Sequence, residues 1–165
     1  MIEVVRRLMG PDVPIEERAL VTLLGAHYID HHAMAAEDAQ RWSPEQWGRA
    51  MFEDRRSLLQ RTRDLGFLGA LLSSPQPEGR VAGWTVDDTT AGWLRMESTS
   101  QLTSDQVVVC VHAEGVTLTT AVRYERSISR IAWRLISTQH RRFAPTVLRR
   151  AHRLLASRGN PPIPS

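Results

Sequence analysis

Four titratable side chains and a phenol crowd the six residues His27-Tyr28-Ile29-Asp30-His31-His32. Tyr28 and Asp30 stand two apart, so on a strand they point the same way. A carboxylate beside a phenol in an apolar cavity can do acid–base work. Desolvation disfavours its charged form and lifts it toward the range a general base needs. The same pair can instead be a structural hydrogen bond that ties the first strand to the first helix. His140 is the third candidate for proton transfer. By helical phase it lies on the flank of an apolar stripe, near Trp133 and Ala144, where it would either shuttle a proton or anchor its helix.

The same histidines invite a metal reading, because His27 and His31 share a face whether the segment is helix or strand. No further ligand follows from spacing, so no metal is expected. Cys110 is the only cysteine. That excludes an internal disulfide, a paired-cysteine redox centre and a cysteine-based zinc site. Cys110 and His112 share one face of a strand, but at that spacing the imidazole does not naturally meet the thiol as a nucleophilic pair requires. Lysine is absent, which removes Schiff-base, phosphate-loop and Ser–Lys chemistry. Glycine-rich nucleotide fingerprints, nucleophile elbows and HExxH are absent too, and no cofactor is expected.

These residues must be positioned by a chain of 165 residues, long enough to bury a core without staples. Apolar residues make up 42% and charged residues 24%, an ordinary globular composition. No apolar run approaches the roughly 18 residues that span a bilayer, so a cytoplasmic protein is expected. Its net charge of +3 is uneven. From Arg126 onward there are nine arginines and no acid, leaving 12 arginines against 18 acids before it. The basic end reads first as the solvated face of a helix. Docking on an anionic surface or nucleic acid is the weaker alternative, and nucleic acid is not expected.

Residues 1–9 are compatible with a short helix or strand, and 15–24 with a helix. Ser43-Pro44-Glu45-Gln46 is a capping serine, a proline at the first helical position and a glutamine at the third, opening a helix over 43–65. From Arg80 the texture turns to β. Strands are expected over 81–86, 92–99, 106–113 and 116–125, joined by short turns that imply antiparallel hairpins. Ser127 then caps a long helix to about residue 157. Its apolar stripe is read through Ile128, Ile131, Leu135, Phe143, Val147 and Leu154, with Arg130 and Arg134 opposite and a kink at Pro145.

The run Thr117-Leu118-Thr119-Thr120-Ala121-Val122-Arg123-Tyr124, then Ser129-Arg130-Ile131-Ala132-Trp133, then His140-Arg141-Arg142-Phe143-Ala144-Pro145 with Leu148-Arg149-Arg150-Ala151, resembles the C-terminal signature of a bacterial domain family of unknown function in the START-like superfamily. Tyr28-x-Asp30 with Ser43-Pro44-Glu45-x-Trp47-x-x-Ala50-Met51-Phe52 resembles that family's opening strand and first helix. The likeness covers roughly residues 27–157. The superfamily also holds polyketide cyclases and dehydratases, lipid-transfer proteins and ligand-binding allergens.

The resemblance implies an α+β helix-grip fold, a curved antiparallel sheet around a long C-terminal helix. Residues 1–26 would be an extension packed on the 27–158 domain, and 159–165 a flexible tail. It also implies a cavity for a hydrophobic small molecule, polyketide-like, terpenoid-like or lipid. The expected walls are Trp84, Trp93, Met96, Thr120, Val122, Tyr124, Trp133 and Phe143, with Asp30, Tyr28 and His140 as catalytic candidates. A cofactor-free cyclase, dehydratase or isomerase and a passive lipid carrier both fit, and a homodimer stays open.

Overall fold

The computed structural model describes residues 5–53, 80–81 and 83–159. The expected helix beyond Glu53 and the 67–79 turn and loop lie outside the described residues. So do the side chains of Leu135 and His140.

The fold is α+β. Among the described residues, seven strands form one antiparallel sheet: β1 (Val5–Met9), β2 (Tyr28–Ala35), β3 (Arg80–Val81), β4 (Trp84–Thr89), β5 (Trp93–Thr99), β6 (Thr103–His112) and β7 (Gly115–Tyr124). Their spatial order is β1-β2-β7-β6-β5-β4-β3. Residues 80–125 thus form a meander, and β2 closes its far side against β7. Among the described residues the helices are α1 (Ile15–Ala19), α2 (Pro44–Phe52) and α3 (Ser127–Ser157). The first strand expected after residue 80 is broken in two, because Gly83 takes a left-handed turn at φ 93°.

The start of α2 is as its residues dictate. The Ser43 hydroxyl accepts from the Gln46 N–H at 3.2 Å, and the Gln46 side chain accepts from the Ser43 N–H at 2.8 Å. Helix α3 begins at Ser127, so the N-cap is Arg126, which makes no side-chain cap bond. Pro145 lacks an N–H, yet the helix runs through it to Ser157.

Alternation splits the sheet into two faces. One carries Met34, Leu94, Met96, Val107, Val109, Val111, Val116 and Leu118, which form a contiguous core with Trp47, Ala50 and Met51 of α2 and with Ala144, Val147, Leu148, Ala151 and Leu155 of α3. This is the helix side. The opposite, far face is crossed by residues 13–24. The Gln106 side chain bonds Thr22 and Leu23, and Arg95 and Arg123 donate to the carbonyls of Leu20 and Leu24.

The apolar stripe of α3 is rotated from the expected one in its first half. Ile128 and Ile131 are each 64% exposed, whereas Ser129 is buried and Trp133 half-buried. The inward row therefore runs through 129 and 133 and joins Ala144, Leu148 and Ala151 further on. Arg130 and Arg134 are exposed, as expected. Every described α3 side chain in the contiguous core comes from the half after residue 142.

Candidate functional site

Antiparallel pairing of β2 with β7 sets Tyr28 opposite Val122, Asp30 opposite Thr120 and His32 opposite Leu118, all on the helix side. The Tyr28 hydroxyl donates to Asp30 Oδ2 at 2.6 Å. Asp30 is fully buried, and Thr120 and Val122 beside it are buried as well. The Tyr28 ring meets Trp133 of α3 edge-on, with centroids 5.2 Å apart and planes at 66°. One strand further, Asp105 lies opposite Val122 and accepts from the Thr103 hydroxyl at 3.0 Å. Val122 stands outside the contiguous core, so this polar group occupies the helix-side face beyond the core's edge.

At the end of that face a pocket of about 410 Å³ opens, lined by His27, Tyr124, Glu125, Arg126, Ser127 and Arg130. His27 stacks on Tyr124 at 4.8 Å, and its Nδ1 accepts from the Tyr124 N–H at 3.1 Å. Burial raises the Tyr124 phenol, against a smaller lowering by Arg130, so it stays a neutral donor. Glu125 is held below the usual carboxylate range by hydrogen bonds from Ser104 and Arg123.

The structure thus brings Tyr28, Asp30, Thr120, Val122 and Trp133 together, with Tyr124 at the adjoining pocket. Met96 is on the same face but fully buried in the core. Trp84 packs on Phe52 at 6.3 Å, and Phe143 lies partly buried against the core. Trp93 is on the far face, opposite Cys110 and beneath the Arg95 guanidinium, and shares no wall with the others. Alternation alone could not choose between Trp93 and Leu94. Pairing with Val109 puts Leu94 inward.

The far face holds a second polar centre that sequence reasoning missed. Glu17 of α1 is buried over the sheet. Its Oε2 accepts from Cys110 Sγ at 3.1 Å, and its Oε1 accepts from the Thr117 hydroxyl at 2.8 Å and lies 2.9 Å from His112 Nε2. Burial pulls the Glu17 pKa up, but the bonds from Cys110, Thr117 and His112 outweigh it and hold the carboxyl below its ordinary value. Burial, then the Glu17 charge, pushes the Cys110 thiol up. Cys110 alone is therefore a protonated donor, not a nucleophile. The ligand-type atoms of Glu17, Cys110 and His112 all lie within 4.8 Å of one another. His31, paired with Thr119 at 2.9 Å, is on this face, and so turns away from Asp30 and His32.

A third pairing joins α3 to the segment before α2. His152 meets Asp38 at 2.8 Å and stacks on Trp47 at 5.9 Å. No spacing rule points to it, because the partners are 114 residues apart.

No family model, curated protein or solved structure matches the chain. Among the described residues, no helix is long and apolar enough to cross a membrane.

Proposed function

We propose that the chain is a helix-grip domain of START-like type that binds a hydrophobic small molecule between the helix-side face of the sheet and the first half of α3. In this reading Asp30, with Tyr28, moves a proton on that molecule. The observation that carries it is the fully buried Asp30 carboxylate, bonded to the Tyr28 hydroxyl at 2.6 Å beyond the edge of the apolar core. Burying a carboxylate is costly, and a site for chemistry is a common reason to do it.

The surroundings support the reading. Thr120 and Val122 would floor the site, and Trp133 would cover it as a large apolar wall. The pocket bounded by His27, Tyr124, Arg126 and Arg130 would be its mouth. Asp30 would take a proton from carbon or a hydroxyl, and the Tyr28 hydroxyl would steady the carboxylate by hydrogen bonding. His140 remains the second candidate for returning the proton. Shape and one proton transfer suffice for a cyclisation, dehydration or isomerisation of a polyketide-like or terpenoid-like substrate, because holding a reactive conformer supplies much of the rate. Polar groups bonded to each other inside, rather than isolated at a mouth, favour this over passive carriage of a lipid.

The test is to recover what the protein carries. Native mass spectrometry should show an apolar adduct that organic extraction removes. Incubated with the extracted molecule, the wild type should convert it. Asp30→Asn keeps an oxygen acceptor for Tyr28, so it should bind nearly as well but convert at least about 10²-fold more slowly. Equal conversion by both proteins removes Asp30 from the chemistry. Binding without conversion by either leaves a carrier.

A further inference from the structure

We propose that Glu17, Cys110 and His112 form a zinc-class metal site on the far face of the sheet, independent of the site around Asp30. The three donors are a carboxylate, a thiol and an imidazole, and their ligand atoms lie within 4.8 Å of one another. In a tetrahedral zinc site, bonds of roughly 2.0–2.3 Å put neighbouring donors about 3.3–3.7 Å apart. Cys110 Sγ lies 3.1 Å from Glu17 Oε2 and His112 Nε2 lies 2.9 Å from Glu17 Oε1, so the thiol and the imidazole each approach one oxygen of the same carboxylate. Small side-chain adjustments therefore open the triangle around a cation. Mixed nitrogen, sulfur and oxygen donors suit Zn²⁺ or Co²⁺, whereas Mg²⁺ and Ca²⁺ require oxygen.

The fold holds the donors rigidly. Cys110 and His112 are two apart on β6 and so share its far face. That strand is paired on both sides, with Cys110 opposite Thr117 of β7 and Trp93 of β5. Glu17 is delivered by α1, whose segment is bonded to the sheet through Gln106 and Arg95. Cys110 and Glu17 are buried, while the His112 side chain is 52% exposed. The site is thus closed on the sheet side and open toward solvent at His112, where a water would complete four ligands. Thr117 already hydrogen-bonds a Glu17 oxygen at 2.8 Å and would orient the ligating carboxylate.

The exchange balances. The Cys110 proton, now shared with Glu17, leaves to solvent, and a metal–sulfur bond replaces it. The Glu17 oxygens give up the Cys110 and His112 contacts and one of them bonds the cation. His112 Nε2, the donor to Glu17 before the cation arrives, loses its proton to solvent as Nδ1 takes one up, and then offers its lone pair to the metal.

Tag-free protein stripped with a chelator is titrated with Co²⁺ alone. One equivalent should bind and give a thiolate-to-cobalt charge-transfer band in the near ultraviolet, and added Zn²⁺ should erase that band. Cys110→Ser, verified as folded by circular dichroism, should lose the band. His112→Gln alters an exposed side chain, so the fold should persist, and it should weaken Co²⁺ by at least about tenfold. Folded wild type that gives no band in excess Co²⁺ overturns the site. So does a band that survives Cys110→Ser, or equal affinity in His112→Gln.

Discussion

Trp47→Ala should lower stability by about 3–5 kcal/mol, the usual cost of truncating a fully buried tryptophan. Trp47 has no exposed surface. Its ring sits between Trp42, edge-on at 6.3 Å, and His152, stacked at 5.9 Å, while its indole N–H donates to the Ala39 carbonyl at 3.0 Å. It therefore links α2, the turn before α2 and the second half of α3. Truncation leaves a cavity where these three meet. At this chain length the melting temperature should fall by roughly 6–20 °C. Urea denaturation should show a lower midpoint at an unchanged slope. A loss under about 1 kcal/mol would show that this joint is not part of the cooperative core.

Gly115→Ala should cost about 3 kcal/mol, at the upper end of overpacking effects. Gly115 opens β7 between two strands, opposite Ala35 of β2 and His112 of β6. A methyl group there would run into the Met34 carbonyl oxygen and meet Ala35 Cα at 3.1 Å. Both obstacles are backbone atoms, so relief requires parting β2 from β7, the pair that presents Asp30. Gly48→Ala makes a useful contrast. There the nearest atom is the end of the Leu94 side chain at 2.8 Å, which can turn aside, and the helix gains the roughly 1 kcal/mol by which alanine outranks glycine. Thermal melts should separate the two variants clearly. Equal melting temperatures would mean that the β2–β7 approach is looser than this geometry.

The meander and the long helix were legible because their signals are local. Val107–Val111 reads as a strand by composition, and short turns force neighbours to pair. The face of α3 was less legible. Ile128 and Ile131 look like core by type, but the inward row passes through Ser129 and Trp133, because tertiary packing, not residue hydropathy, sets the rotation. Tyr28 and Asp30 could be paired from their two-residue spacing once the segment is a strand. Glu17 could not. It sits in a stretch that reads only as a short helix, and its partners lie 93–100 residues away across a sheet. A single cysteine reads as excluding any cysteine-based zinc site, but that rule reaches only sets of several cysteines, and a mixed donor set with one thiolate leaves no mark in spacing. Trp93 shows the parity limit: a one-residue shift in phase moves a side chain to the other face.

The most direct test of the ligand site is fluorescence titration with a hydroxylated anthraquinone, a rigid apolar probe of polyketide shape. Wild type should show saturable, one-to-one quenching of tryptophan emission. Most of it should vanish in Trp133→Phe, because Trp133 is the indole that meets Tyr28 above Asp30. At a hundredfold excess over Kd the probe should stabilise the fold by about 2.7 kcal/mol, seen as a raised melting temperature. Quenching that never saturates, is equal in both proteins and leaves the melting temperature unmoved, for this probe and likewise for a fatty acid and a sterol, would contradict a hydrophobic ligand site beneath α3.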